Sequence, residues 1–245
     1  MTRLVAGARV TPGAFGTAIY AAPGTSGKVD CGTDFIGVTA FTISAWFKVT
    51  LGAMISSAGR IVDNGKTILN FAPTSQSEGH FRFRSDGSSG PTSATYSLRT
   101  GEWTFVAVTR DASGTCNFYI NNVLSGTANQ SSGTPVAGST HVFLGNSNST
   151  GNQIVGAMDV VRMFNRVLTS TELGNLYNLN TKPADAATSC IAEYLFDEGS
   201  GSTANDTSGN GHTGTISLMS YTTDVPNAVR SAASGRSTAG ARSGA

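Results

Sequence analysis

The stretch Gly156–Tyr177 constrains the fold most, because it combines a strand, a turn and the start of a helix. Its first half is rich in valine and methionine and predicts a largely buried strand. Thr169 stands three residues before Glu172, which is the spacing of a capping box at a helix N-terminus. Leu168 and Leu173 flank that start and can close as a hydrophobic staple. No second helix is signalled as clearly, so the rest of the chain is expected to form strands and loops.

The other apolar segments are short, and their residues alternate between apolar and polar. Phe41–Val49 places Phe, Ile, Ala, Phe and Val on one face and Thr, Ser, Trp and Lys on the other, which is the period of a half-buried strand. Turns rich in glycine, serine and asparagine separate such segments, as in a β-sandwich. We therefore predict an all-β antiparallel sandwich with one short helix near residues 170–178. Besides Phe41–Val49, strands are predicted at Gly16–Tyr20, Lys28–Cys31, Arg60–Asp63, Thr67–Ala72, His80–Arg84, Thr95–Leu98, Thr104–Asp111, Thr115–Ile120, His141–Gly145 and Met158–Phe164.

Composition favours one large domain without a strong overall charge. The chain has 245 residues, 39% hydrophobic and 13% charged, which is enough for a single sandwich. Its net charge of +1 predicts no binding to nucleic acid, and no apolar run is long enough for membrane insertion. Residues 30–224 hold 10 Lys and Arg against 15 Asp and Glu, a net charge of −5, whereas both ends are basic. Met1–Gly16 lacks the apolar segment of a signal peptide, which argues against classical secretion if Met1 is the native start.

The three cysteines, Cys31, Cys116 and Cys190, are widely spaced. An odd number at such spacing indicates neither a disulfide framework nor a metal cluster. We expect them to be small buried apolar side chains, with one disulfide plus a spare thiol as the alternative.

Four stretches together carry a family resemblance. They are DVVRMFNRVLTSTEL from Asp159 to Leu173, FTISAWFKV at Phe41–Val49, Trp103–Asn122, and YLFDEGSGSTANDTSGNGHTGT from Tyr194 to Thr215. The chain resembles the laminin-G-like domains of the concanavalin A-like lectin/glucanase superfamily, which implies a jelly-roll sandwich. That superfamily includes lectins, glycosidases, adhesion modules and viral surface proteins, so the resemblance specifies the fold more than the activity.

The order of these stretches departs from the family. In domains of this type the FDEGSG block normally opens the domain, but here it lies at 194–215, after the closing helix. Either the domain is circularly permuted and residues 190–216 complete the sandwich within the chain, or this block is swapped into a neighbouring subunit. We expect a basic N-terminal arm at 1–14, the sandwich at 15–219, and a basic low-complexity tail at 220–245.

A calcium ion is the cofactor that the sequence suggests. Asp206 and Asn210 offer oxygen ligands on a glycine-rich turn, and calcium takes about six to eight such ligands. The resemblance implies that Asp159 lies near this turn and that matching aspartates hold a structural calcium. The alternative is an Asx-turn at Asp206, with Asp159 exposed or paired with Arg162.

A glycan site is predicted on the polar faces of three strands. Trp46 shares a face with Lys48, Tyr119 alternates with asparagines, and Arg82 and Arg84 alternate with phenylalanines. An exposed aromatic ring beside cations and amides can stack on a sugar and hydrogen-bond its hydroxyls. The alternative is that a loop covers Trp46 and that the arginines are merely solvated.

Catalysis is not expected. Retaining glycosidases need two carboxyl groups about 5 Å apart, and the compact E-x-D-type strand motif of related glucanases is missing. Asp197 and Glu198 are adjacent, so in a strand their side chains would point to opposite faces. The three histidines have no partner at the spacing of a triad or a zinc site.

The C-terminal segment SAASGRSTAGARSGA has a composition typical of disorder. Its arginines recur every six residues, so an extended tail lying along a partner would present them regularly. The sequence therefore favours a structural protein on the surface of a virus particle, a phage decoration or accessory protein that forms homo-oligomers or joins a capsid lattice and offers weak glycan adhesion. The alternative is a carbohydrate-binding lectin of a cell-surface or secreted assembly. The predicted partner-binding residues are Arg3, Arg9, Arg230, Arg236 and Arg242.

Overall fold

The computed structural model describes residues 16–50, 59–73, 78–84, 98–130, 135, 137–138, 141–148, 151–179 and 181–226. The predicted N-terminal arm, the five predicted partner-binding arginines and most of the predicted tail lie outside the described residues. None of the described helices is long and apolar enough to cross a membrane.

Within these ranges the chain forms two antiparallel sheets that face each other, and two helices. The first sheet contains β1 (Ala18–Ala21), β3 (Phe41–Val49), β8 (Thr104–Arg110), β9 (Thr115–Ile120), β10 (Val123–Asn129), β12 (Gly156–Phe164), β13 (Cys190–Tyr194) and β16 (Ser220–Thr222). The second sheet contains β2 (Lys28–Thr33), β4 (Gly59–Asp63), β5 (Ile68–Pro73), β6 (Glu78–Arg84), β7 (Leu98–Arg99), β11 (His141–Leu144), β14 (Thr203–Ala204) and β15 (Gly214–Ser217). The helices are α1 (Ser170–Leu179) and the single turn α2 (Ala186–Ser189).

The core lies between the sheets and follows the predicted alternation. In β3, Phe41, Ile43 and Phe47 point into the core, and in β6 Phe81 and Phe83 do the same; all five are buried. Alternate residues of a strand point to opposite faces, so the remaining side chains of these strands form the outer faces of the sandwich. The predicted all-β concanavalin A-like sandwich with a short helix near 170–178 is confirmed.

Helix α1 begins as the sequence predicts. Thr169 N–H donates to Glu172 Oε2 at 2.8 Å, and Glu172 N–H donates back to Thr169 Oγ1 at 3.3 Å, which completes the capping box. Leu168 and Leu173 are both buried. The helix packs on the outer face of the first sheet, where a second apolar cluster has formed beside the main core.

The C-terminal block pairs with strands of both sheets in the same chain. β13 pairs with β12, β15 with β2, and β16 with β1. A buried ion pair joins β13 to β12, because Arg162 Nε lies 2.7 Å from Glu193 Oε1. The predicted start of the tail at residue 220 is wrong, since Ser220–Thr222 forms a strand of the first sheet. The three cysteines are free and buried, as expected.

Candidate functional site

The outer face of the first sheet is covered by α1. Trp46 is only 2% exposed, and its ring stacks on Tyr177 of the helix with centroids 5.5 Å apart. Phe105 of the neighbouring strand lies at the same centroid distance, 5.5 Å, from Trp46. The prediction that Trp46 offers a platform to a sugar is therefore wrong, because a helix occupies the position that the sugar would need.

The other two residues predicted on this sheet are also engaged. Lys48 Nζ lies 2.7 Å from Asp224 Oδ2, and Trp103 Nε1 donates to the other oxygen of Asp224 at 3.0 Å. Tyr119 is half-buried and packs at the margin of the same apolar cluster. Lys48 and Tyr119 are therefore engaged in contacts within the protein.

The outer face of the second sheet is different, because the register places arginines from two strands around one asparagine. Arg60 of β4 stands opposite Asn70 of β5, and Asn70 stands opposite Arg82 of β6. The next outward position of β6 is Arg84. We call Arg60, Asn70, Arg82 and Arg84 the arginine face. Arg82 and Arg84 were predicted as glycan-binding residues, whereas Arg60 and Asn70 were not.

A polar pocket of about 260 Å³ adjoins the arginine face. Its floor comes from β4 and β5, and its sides come from the turn after β4 and the loop after β11. Seven residues line it: Arg60, Asp63, Gly65, Ile68, Ser147, Asn148 and Asn152. These amide, hydroxyl, carboxylate and guanidinium groups can hydrogen-bond the hydroxyls of a sugar.

Backbone hydrogen bonds hold the loop after β11 against β4. Gly145 N–H donates to Ile61 O at 3.1 Å, and Arg60 N–H donates to Asn152 O at 2.9 Å. The side chain of Asn152 in turn donates to Ser147 Oγ at 3.1 Å. The pocket wall is therefore positioned by the sheet, which lowers the entropy lost when a ligand binds.

The pocket contains an ion pair, and the charges of further arginines act on it. Arg60 Nε lies 3.1 Å from Asp63 Oδ2, and Gly65 N–H donates to Asp63 Oδ1 at 2.6 Å. Burial raises the pKa of Asp63. Burial also lowers the pKa of Arg60, and the positive charges of Arg84 and Arg82 add to this effect while Asp63 opposes it. The positive charges of Arg84 and Arg82 are therefore close enough to act on Arg60.

The side chains of Asn70 and His80 on this outer face have buried polar atoms without a hydrogen-bond partner among the described residues. Asn70 is 0% exposed, yet neither its Oδ1 nor its Nδ2 is hydrogen-bonded. The buried Nδ1 of His80, two positions before Arg82 on β6, is also unpaired. Each such group costs about 1–3 kcal/mol of stability, so their presence on one face needs a reason.

The predicted metal ligands Asp206 and Asn210 form a hydrogen-bonded turn. Asp206 Oδ1 accepts from Glu193 N–H and Ser208 N–H at 3.0 and 2.9 Å, and its Oδ2 accepts from His212 N–H at 2.9 Å. Burial alone would raise the pKa of Asp206, but these hydrogen bonds hold it below its usual value. Asn210 donates to backbone carbonyls of β13. The geometry at Asp206 is therefore that of an Asx-turn that fastens the C-terminal block.

Asp159 is neither exposed nor paired with Arg162. It is 0% exposed, its Oδ1 accepts from Val160 N–H at 2.9 Å, and its Oδ2 has no partner. Burial raises the pKa of Asp159 to about 8, and the negative charge of Asp197 also raises it.

The backbone beside this carboxylate pair is strained. Val160 has φ 47° and Phe196 has φ 54°, a region that β-branched and bulky residues rarely adopt. Asp159 has a buried oxygen without a partner among the described residues, whereas Asp197 is exposed and its Oδ1 accepts from Gly16 N–H at 2.7 Å. Calcium at Asp159 would need further oxygens from the backbone or solvent. Among the described residues, no group of three or more His, Cys, Asp or Glu is arranged to hold a metal. The calcium ion stays a prediction.

These features define a concanavalin A-like sandwich with a polar pocket on one outer face and a helix on the other. The family model Laminin_G_3, of the concanavalin A-like lectin/glucanases superfamily, matches residues 23–174. Because this match covers more than half of the chain, the chain belongs to that family. The C-terminal block lies beyond the matched residues.

Two solved structures are similar in fold. A Bacteroides ovatus ATCC 8483 protein provisionally assigned to carbohydrate binding is 18% identical, with a TM-score of 0.67 over 86% of this chain. The chain covers 61% of that protein, which is less than two thirds of its length. The native heptameric SAP-like pentraxin of Limulus polyphemus is 14% identical, with a TM-score of 0.55 over 66% of this chain and 82% of the pentraxin. No curated protein matches the chain.

Proposed function

We propose that this chain is a non-enzymatic carbohydrate-binding module and that its sugar site is the polar pocket beside the arginine face. The observation that carries the proposal is the pocket itself, about 260 Å³ in volume and lined by asparagine, serine, aspartate and arginine side chains on a rigid sheet. Membership of a lectin-containing superfamily supports it, as does the fold of the Bacteroides ovatus protein. The pocket replaces the Trp46 face as the preferred glycan site.

The described lining of the pocket argues for binding without hydrolysis. Asp63 is the carboxylate among these residues, and it is already paired with Arg60. Glycoside hydrolysis uses two carboxyl groups that flank the scissile bond. Asp159 does not suit catalysis either, because its side chain is completely buried.

The test is glycan-array screening of the intact chain, followed by calorimetry with the best ligand. The variant Asn148→Ala removes an exposed amide of the pocket, and Asn129→Ala makes the same change on exposed β10 of the first sheet. We expect Asn148→Ala to weaken binding about fivefold, the value of one net hydrogen bond, and Asn129→Ala to leave it unchanged. A folded chain that binds no glycan would overturn the proposal, and equal affinity of both variants would move the site elsewhere.

Particle attachment remains a separate prediction. It depends on the terminal arginines, which lie outside the described residues. The predicted homo-oligomer and the location on a virion or cell surface likewise stay predictions. A calcium ion held by Asp159 and Asp197 would act structurally, since the carboxylate of Asp159 is completely buried although Asp197 is exposed.

A further inference from the structure

The arginine face is a local concentration of positive charge in an acidic domain. Residues 30–224 carry 10 basic and 15 acidic side chains, yet three of those basic residues lie on β4 and β6 around one asparagine. Neighbouring strands are about 4.8 Å apart, so the backbones of Arg60 and Arg82 are roughly 10 Å apart. Like charges at such spacing destabilise one another unless a counter-charge lies between them.

The described residues supply only part of that counter-charge. Asp63 pairs with Arg60, but Arg82 forms no ion pair with any described residue. The sum over Arg60, Arg82 and Asp63 is +2 − 1 = +1. A guanidinium group binds a carboxylate or sulfate through two parallel hydrogen bonds, and this is the interaction that Arg82 has available.

Asn70 adds a second, independent observation. Its amide is fully buried, its neighbours in the strand register are two arginines of the face, and it forms no hydrogen bond with any described residue. An amide offers both a donor and an acceptor, the combination that a sugar hydroxyl next to an anionic group requires. Asn70 would become accessible to a sugar only if a neighbouring arginine side chain moved outward to an anion.

We propose that this site selects glycans that carry an anionic group, a carboxylate or a sulfate, with Arg82 and Arg60 binding the anion and the pocket holding the adjoining sugar. This inference rests on the proposed sugar-binding function and names its ligand class. Arg84 raises the local positive potential, and Asn70 binds a hydroxyl beside the anion. Binding is therefore sensitive to salt, whereas recognition of a neutral sugar would not be.

The experiment is calorimetry of the intact chain with three probes. They are an oligogalacturonate, the same oligosaccharide after reduction of its carboxyl groups, and a sulfated neutral oligosaccharide of equal length. We expect the reduced probe to bind about tenfold more weakly than the oligogalacturonate, the contribution of one charge-assisted hydrogen-bonded pair. The sulfated probe decides whether the site takes carboxylates alone or both anions.

Three variants test whether the preference for the anionic probe depends on the arginine face. Arg82→Gln should abolish the preference for the anionic probe, and Arg82→Lys should restore part of it because the charge returns without the planar fork. Lys48→Gln removes one positive charge from the other sheet, where Lys48 pairs with Asp224, and should leave the preference intact. Thermal unfolding of each variant separates loss of binding from loss of folding.

Each failure has a different meaning. Equal affinity for the acidic and the reduced probe, with Arg82→Gln unchanged, overturns the anionic selectivity and leaves the proposed sugar binding standing. Binding of no oligosaccharide, in the array or in calorimetry, overturns the proposed function itself. An equal loss in Lys48→Gln and Arg82→Gln shows non-specific charge attraction, which also overturns the assignment to this face.

Discussion

The two outer faces of the sandwich have similar sequence patterns and opposite environments. Each face is formed by strands in which core-facing and outward-facing residues alternate, with Trp46 pointing outward on the first sheet and Arg82 on the second. On the first sheet, α1 covers these positions and Trp46 packs against Tyr177. On the second sheet, Asn70 and His80 retain unpaired polar atoms beside a polar pocket. Alternation alone therefore identifies an outer face but does not say whether a helix will cover it.

The largest expected effect tests the covered face. Trp46→Ala removes a large buried ring between the sheet and α1, and we expect a loss of about 3–5 kcal/mol in the free energy of unfolding. Denaturant unfolding measures it, and Trp46→Phe should retain most of the stability because it preserves an aromatic contact. If Trp46→Ala instead kept its stability and lost sugar binding, the sugar site would lie on the first sheet and not beside the arginine face.

The calcium dependence of stability tests whether the face covered by α1 also binds an ion. With calcium at about 100 times its dissociation constant, we expect the folded state to gain about 2.7 kcal/mol, seen as a higher melting temperature than in chelator. Asp159→Asn should remove this calcium effect, whereas Asp224→Asn, at the surface ion pair with Lys48, should keep it. An identical melting temperature with calcium and with chelator would contradict the predicted calcium site.

The helix cap gives a smaller effect on the same face. Thr169→Ala removes the side-chain half of the capping box and should cost about 1 kcal/mol, while Thr169→Ser should be nearly neutral. Because the cap belongs to α1, which packs on the outer face of the first sheet, glycan affinity measured on the folded fraction should not change. Loss of affinity in Thr169→Ala would show that α1 contributes to the sugar site.

The smallest effect is a pH dependence of the same cap. The hydrogen bond from Arg166 and those from Thr169 lower the pKa of Glu172 from 4.5 to about 2. Between these values the folded chain binds fewer protons than the unfolded chain, so this contribution to stability is present above pH 4.5 and is lost as the pH falls towards 2. Glu172→Gln should flatten that part of the stability profile in acid unfolding. An unchanged profile would show that the cap charge is screened by solvent.

The sequence predicts the elements whose pattern is local. The capping box at Thr169 and the alternation of Phe41–Val49 needed no tertiary information, and both are present. Strand β10 was missed, because its Val123 and Leu124 are 61% and 55% exposed at a sheet edge and break the expected alternation.

The candidate site was predictable only in part. Arg82 and Arg84 stood out because they alternate with buried phenylalanines in one strand. Arg60 and Asn70 join them only through strand pairing, and a single asparagine in a strand carries no motif of its own. Burial of Trp46 likewise depends on where α1 packs, which no local pattern states.

The pairing of β16 with β1 has a consequence for how the chain is made. Ala18 is paired with Thr222, so the first sheet cannot be completed until residue 222 has left the ribosome. At about 5–20 residues per second, the nascent sheet edges stay open for seconds or longer. Contacts this distant in sequence also slow folding, because a long loop must close before they form. The protein's greatest exposure to misassembly therefore falls during its synthesis, before its C-terminal strands arrive.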